Sequence, residues 1–358
     1  MKEVWLDGNK EISAPRKKIR RSRRRKKKPY ASVIAALDLG TNNCRLLIAR
    51  PNQGSFRVID GYSKDVRLGE GLVFSGALSV DAMERTISAL KICQQKIIKR
   101  GVKKGRYVAT EACRKASNGE EFLERVQKEI GIRLEIISSR EEASLTLKGC
   151  LPLLEEASTK YGLTFDVGGG SAEIMLVRLD RKRPFVEGWV SLPYGVVTLT
   201  ERFKASNISK ENYRFMVEEI SSTLREFDIK YKIQQKISDG IVQVLGTAGT
   251  VTTIAGIHLG LTKYNRALVD GLWLDSHVIM KISDKLVRSS FEERASLACV
   301  GESRAELVVA GCGVLEAIFK VWPAERIRVA DRGVREGLLL ALALKKSRGK
   351  NYGIACNE

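Results

Sequence analysis

Two aspartates in this chain stand beside glycine-bearing turns: Asp38 in D-L-G-T-N and Asp166 in D-V-G-G-G-S. Each lies at the end of a short apolar run, with a second run following, so both segments read as strand, turn, strand. Backbone amides without a Cβ nearby bind phosphate oxygens at close range, and Gly168, Gly169 and Gly170 supply three in succession. Ser171 adds a hydroxyl, and Gly40, Thr41 and Asn42 would surround the same phosphate from the first turn. Two carboxylates beside a phosphate suit Mg2+, which takes one or two carboxylates together with water and phosphate oxygens. Aspartate is also an ordinary turn residue, and a glycine-rich hairpin can simply turn. It is the repetition of the two turns that favours a metal-bound phosphate.

Three further positions carry chemistry in weaker form. Glu142, in E-E-A at a helix start, has capping-box spacing from Ser139; its other role would be a general base taking a proton from water. Arg114, in T-E-A-C-R, follows a strand end and could clamp a phosphate oxygen, although such an arginine is usually a solvated surface residue. Gly246 and Thr247 open G-T-A-G-T, a third glycine turn between a strand and a helix, where a helix N-terminus would favour an anion. Glu173 follows the second turn by two residues and returns to the strand.

These positions need strand ends to hold them. The first hairpin covers 32–49, and a polar glycine-rich stretch follows over 61–76. Ser79 is set to cap a helix whose apolar positions Met83, Ile87, Leu90 and Ile97 share one face, closed by Gly101. A strand over 107–110 precedes a helix with Ser117 and Glu120 at capping-box spacing, ending at Gly131. A strand over 134–137 then leads into the Glu142 helix. The second half restarts at Leu163 with its own hairpin, passes through a mixed region holding P-Y-G, and gives a strand over 241–245. Helical character marks 307–319 and 337–344. Strands alternating with helices, and a motif repeated at one domain's distance, predict two α/β lobes with a ligand cleft between them.

Composition narrows the classes. The chain has 358 residues, 44% of them hydrophobic, enough for two domains with real cores. Seven scattered cysteines and two histidines give a soft-metal site little to build on, and suit small core residues in a reducing compartment. No apolar run reaches the roughly 20 residues that span a bilayer, so a cytoplasmic location without membrane insertion is expected. The net charge is +20, and eleven basic residues lie between Arg16 and Lys28 with no acidic one, leaving +9 elsewhere. That arm is either a solvated tail or a non-specific polyanion binder; without interleaved aromatics it is no base-reading module.

Taken together, six ordered motifs resemble the exopolyphosphatase/guanosine pentaphosphate phosphohydrolase (Ppx/GppA) family, within the actin, hexokinase and heat-shock-70 ATPase superfamily. They are D-L-G-T-N-N at Asp38, T-E-A-C-R-K-A at Thr110, I-I-S-S-R-E-E-A at Ile136, F-D-V-G-G-G-S-A-E at Phe165, L-G-T-A-G-T at Leu245 and D-R-G-V-R-E-G at Asp331. The resemblance implies two ribonuclease H-like lobes, divided at about 30–155 and 156–345, flanked by a basic tail (1–29) and a short end segment (346–358). It implies that Glu142 is the base, that Asp38 and Asp166 hold Mg2+ with Glu173 close by, and that Arg114 contacts phosphate. Asn43 stands where serine is frequent, Ala172 where threonine is, and Glu306 where aspartate is. Longer relatives add helical C-terminal domains, which leaves long-chain processivity open, and relatives are commonly dimers.

The expected activity is therefore hydrolysis of the terminal phosphoanhydride of inorganic polyphosphate, with guanosine pentaphosphate as the other substrate of the same class. A kinase of the same superfamily would use the Gly246 turn for a nucleotide, and a regulatory scaffold would bind without turnover.

Overall fold

The computed structural model describes residues 32–53, 55–154, 159–180, 183–344 and 355–356. The basic arm between Arg16 and Lys28 lies outside the described residues. From Ser32 onward the chain forms one compact unit containing two sheets.

The first sheet comprises β1 (Ile34–Leu39), β2 (Asn43–Asn52), β3 (Ser55–Asp65), β4 (Lys104–Ala109) and β5 (Glu135–Ile136), in the order β3-β2-β1-β4-β5. The second comprises β6 (Tyr161–Val167), β7 (Ala172–Arg178), β8 (Phe185–Leu192), β9 (Val242–Ala248), β10 (Trp273–Asp275), β11 (Arg326–Ala330) and β12 (Ala355–Cys356). Its five central strands run β8-β7-β6-β9-β11. In each sheet the first three strands in sequence pair antiparallel, and two further strands, β4 and β5 in the first and β9 and β11 in the second, add in parallel. The same order in both halves defines two ribonuclease H-like lobes of the actin type.

Register repeats as well. Asp38 lies opposite Arg45 across the first hairpin, and Asp166 lies opposite Glu173 across the second. Side chains alternate along a strand. Ala35, Leu37 and Leu39 therefore enter the first lobe's outer core, while Ile34 and Ala36 face inward with Asp38 on their side. In β6, Leu163, Phe165 and Val167 fill the second lobe's core, which turns Asp166 to the other face. Parity alone thus aims both carboxylates between the lobes.

Two helices occupy that space. The helix Ser139–Cys150 buries Leu145 against the first sheet's inner face and Ala143, Leu147 and Cys150 against Met175, Val177 and Leu245 of the second. The last helix, Val334–Leu344, places Val334, Leu338 and Leu339 on Ile34, Ala36 and Leu47. The two helices touch through glycine: a Cβ on Gly337 would lie 2.0 Å from the Leu145 carbonyl oxygen.

Several local expectations are corrected. Ser79 caps its helix by accepting from Ala82 N–H. The helix that ends before Gly131, however, is Gly119–Ile130, and its N-cap is Asn118, whose side chain makes two hydrogen bonds with the Leu78 backbone, so Ser117 caps nothing. At the Glu142 helix the cap is Ser138, which accepts from Glu141 N–H at 3.2 Å, and this releases Glu142 from capping. Strands β3 and β8 fall where the sequence marks no strand. β3 runs through Asp65 because an edge strand with a wet face needs no apolar run.

Asp60 ties that edge to the helix Val80–Lys99. It accepts from Lys96 Nζ at 2.9 Å and from Arg100 Nε at 2.8 Å, and these cations hold its carboxyl down at about 2. A carboxyl depressed by folding stabilises above its unfolded value of about 4, and that contribution is lost as pH falls toward about 2. Asp60→Asn is expected to cost about 1 kcal/mol at pH 7 after solvent screening, the deficit closing as pH drops below 4; urea midpoints at each pH check it. No helix among the described residues is long and apolar enough to cross a membrane.

Candidate active site

The two glycine turns are built alike. Gly40 N–H donates to Asn43 O, and Gly168 N–H donates to Ser171 O, each at 2.9 Å. Behind the first turn, Thr41 O accepts from Gly69 N–H, and Asn42 O accepts from Val66 and Arg67 N–H. Behind the second, the start of the helix Val196–Phe203 donates Val196 N–H to Gly168 O and Val197 N–H to Gly169 O, while Gly195 N–H reaches Gly170 O. With the carbonyls drawn backward, the amides of Thr41, Asn42, Gly169 and Gly170 have no backbone acceptor among the described residues. Such amide arrays bind anions.

Close approach, rather than unusual backbone angles, demands glycine here. A Cβ on Gly170 would sit 2.6 Å from Glu111 Cγ of the other lobe, and one on Gly195 would sit 2.2 Å from the Gly169 carbonyl oxygen.

A cleft of about 430 Å³ runs between the turns, walled by Asp38, Gly40, Thr41, Asn42, Glu142, Asp166, Gly168, Gly169, Gly170, Ser171 and Thr247. Burial raises the pKa of Asp38 against the pull of Arg45 and Arg335. Burial, then the Glu173 charge, lifts Asp166 to about 7, although Thr146 Oγ1 donates to its Oδ2 at 3.2 Å. Glu142 is pushed well above the usual carboxylate range by burial, then by Glu173 and Asp38, with Arg114 opposing. A carboxylate crowded by acids and shielded from water accepts a proton readily.

Four expected site residues take different places. Arg114 is not on the cleft wall: its Nη1 donates to Ile137 O at 2.6 Å, both Nη atoms lie 3.3 Å from Glu142 Oε2, and it pairs with Glu111. Its Nη donors go to the Ile137 carbonyl and to the Glu142 and Glu111 carboxylates. Glu173 is 2% exposed and off the wall, with Oε1 accepting from Ser171 Oγ at 2.7 Å and Ser191 Oγ at 2.9 Å. The Ser171 hydroxyl is thereby committed, leaving that residue its backbone. Gly246 lies inside β9, where a Cβ would come within 2.5 Å of the Phe165 ring; its smallness serves packing. Thr247 does reach the wall, its hydroxyl donating to Arg332 O at 2.6 Å.

Sequence reasoning passed over the cleft's arginines, Arg45, Arg266, Arg304, Arg332 and Arg335, and over Glu111. Arg45 was findable, since the hairpin that places Asp38 puts the residue seven positions later opposite it. Arg335 lies in D-R-G-V-R-E-G, where Glu336 accepts from Gly333 N–H at 2.9 Å and from Arg266 Nη2 at 2.7 Å. Burial works against that carboxylate, but Arg335 and Arg266 outweigh it and hold its pKa low.

The donor set can be tested against a metal. Among the described residues, no three His, Cys, Asp or Glu side chains converge as a ready-made cage. Two cleft carboxylates beside phosphate-facing amides nevertheless fit Mg2+, which completes its shell with water and substrate oxygens. Glu173 lies off the wall with its Oε1 bonded to two serine hydroxyls.

Opposed glycine turns on paired ribonuclease H-like lobes define an actin-like protein with a cleft between its halves. The pattern of the Ppx/GppA phosphatase family matches residues 47–346, and the chain belongs to that family. It is 26% identical over 327 residues to exopolyphosphatase 2 of Mycobacterium tuberculosis, covering 87% of this chain and 98% of that one. It is 27% identical over 316 residues to the guanosine-5'-triphosphate,3'-diphosphate pyrophosphatase of Pseudoalteromonas translucida, covering 88% of this chain and 60% of the relative. The crystal structure of the Aquifex aeolicus Ppx/GppA family member is similar with a TM-score of 0.71 and 29% identity, over 89% of this chain and 99% of that one.

Proposed function

We propose that this protein hydrolyses the terminal phosphoanhydride of inorganic polyphosphate, with Glu142 as the base. The observation carrying the reading is Glu142 itself: released from capping, oriented by Arg114, raised in pKa, and facing two arrays of unspent amides across one cleft. The amides of Thr41, Asn42, Gly169 and Gly170 hold the terminal phosphoryl oxygens. Glu142 takes a proton from water as the water oxygen bonds to phosphorus. The bridging P–O bond breaks, and its electron pair leaves on the shortened chain, giving orthophosphate. Preorganised donors and exclusion of water supply most of the acceleration.

Asp38 and Asp166 are the residues that would hold Mg2+, which when bound neutralises charge on the phosphoryl oxygens. Chelation by EDTA is expected to abolish phosphate release, with excess Mg2+ restoring it. Asp166→Asn is expected to raise the Mg2+ concentration for half-maximal rate by about tenfold or more. An EDTA-resistant rate in a metal-free preparation would remove the ion from the scheme.

One observation favours guanosine pentaphosphate as a second substrate. Tyr264 brings an aromatic ring to the cleft wall beside Arg266 and Arg304. Comparing orthophosphate release from tripolyphosphate and guanosine pentaphosphate at equal concentration separates the two, and release from neither defeats the proposal. A cytoplasmic location, a homodimer and polyanion capture by the basic arm belong to the same reading; salt-dependent polyphosphate affinity after deleting residues 1–28 tests the arm.

A further inference from the structure

The two glycine turns each have a support behind them, and one side chain joins the supports. The segment 66–75 leaves β3, bolts the first turn through Val66, Arg67 and Gly69 amides, and continues into the short helix Leu72–Ser75. The helix Val196–Phe203 bolts the second turn through its first amides and carries Glu201 further along. Glu201 Oε1 accepts the Gly71 N–H at 2.7 Å, across the gap between the lobes. Its Oε2 is buried, and the Val73 amide also favours the ionised form.

Burying a carboxylate costs hydration that the two amides only partly return. Burial accordingly raises the pKa of Glu201, with the Gly71 and Val73 amides opposing. The same segment is strained elsewhere: Arg67 has φ of 49°, in the left-handed region a side chain rarely adopts, and it reaches Glu306 of the second lobe at 3.5 Å. Strained backbone persists where surrounding structure enforces it, and it concentrates at working sites.

We propose that Glu201 is a positioning residue that sets the spacing of the two turns, clamping the support of the first to the support of the second. One phosphoryl group can meet amides from both lobes only when the turns are in register, and misplacement by about 1 Å can cost a hundredfold in rate. This inference rests on the phosphoanhydride reading for its kinetic consequence alone. Its structural consequence is independent of substrate.

Amide hydrogen exchange on the full chain tests it, with wild type, Glu201→Ala and Arg202→Ala compared. Arg202 sits on the same helix and pairs outward with Glu219. Glu201→Ala is expected to speed exchange in peptides covering 40–42 and 66–75, in the opposite lobe, while Arg202→Ala leaves them unchanged. The kcat on tripolyphosphate should fall about tenfold to a hundredfold. Glu201→Gln, which keeps an acceptor at the Gly71 amide, should restore most of it. Acceleration confined to the 196–203 helix overturns the clamp. Wild type inactive on every phosphoanhydride sinks the proposed activity but leaves the exchange comparison decisive. Should Glu201→Ala not fold, Glu201→Asp keeps the charge, withdraws it from Gly71, and carries the same comparison.

Discussion

Glu142→Gln is expected to lower orthophosphate release from tripolyphosphate by about 10²- to 10⁴-fold while leaving affinity nearly unchanged. Glutamine matches glutamate in shape, can still accept from Arg114, and cannot take a proton. The fold should survive, because Ser138 rather than Glu142 closes the helix start. Burial and the neighbouring Glu173 and Asp38 charges already disfavour the ionised form. Neutralising the residue therefore relieves repulsion, and the variant is expected to be at least as stable as wild type. Loss of turnover with an unchanged or raised melting temperature separates a chemical role from a structural one. Equal turnover would remove Glu142 from the chemistry.

Gly195→Ala should be comparably damaging for a different reason. The added methyl would meet the Gly169 carbonyl oxygen at 2.2 Å and the Gly169 and Gly170 carbonyl carbons at 2.3 Å. These are backbone atoms, so no rotamer change relieves the overlap. Either the second turn moves or the 196–203 helix withdraws, and both spoil the amide array. Overpacking of this kind costs about 1–3 kcal/mol, and displacement of the turn by about 1 Å lowers turnover about a hundredfold. The check is a crystal structure of the variant with steady-state rates: an unmoved turn or wild-type kcat contradicts the argument. Gly61, exposed on the edge strand β3, where a Cβ would meet nothing closer than 3.4 Å, is the control.

Much of this frame was legible in the residues. Apolar runs with period-two burial place β1 and β6, and the same parity aims Asp38 and Asp166 inward once both faces of each strand are known to be covered. What escaped depends on neighbours distant in sequence. β3 has a wet outer face and no apolar run to announce it. Ser138 and Ser139 are both capping residue types, and tertiary packing chose the earlier one. Arg114 turns inward because Ile137 offers a carbonyl and Glu111 and Glu142 offer carboxylates, none of which local spacing reveals. Gly246 shows the reverse error, a glycine in a phosphate-type pattern whose absent side chain makes room for Phe165.

The last helix carries a consequence for how the chain is made. Ile34, Ala36 and Leu47 near the start are covered by Val334, Leu338 and Leu339, some three hundred residues later. During synthesis the N-terminal lobe emerges with part of that apolar surface bare, and it stays so until Val334–Leu344 has been made. A ribosome stalled before Val334 would hold an N-terminal half that is sticky by construction, a natural client for chaperones rather than an autonomous folding unit.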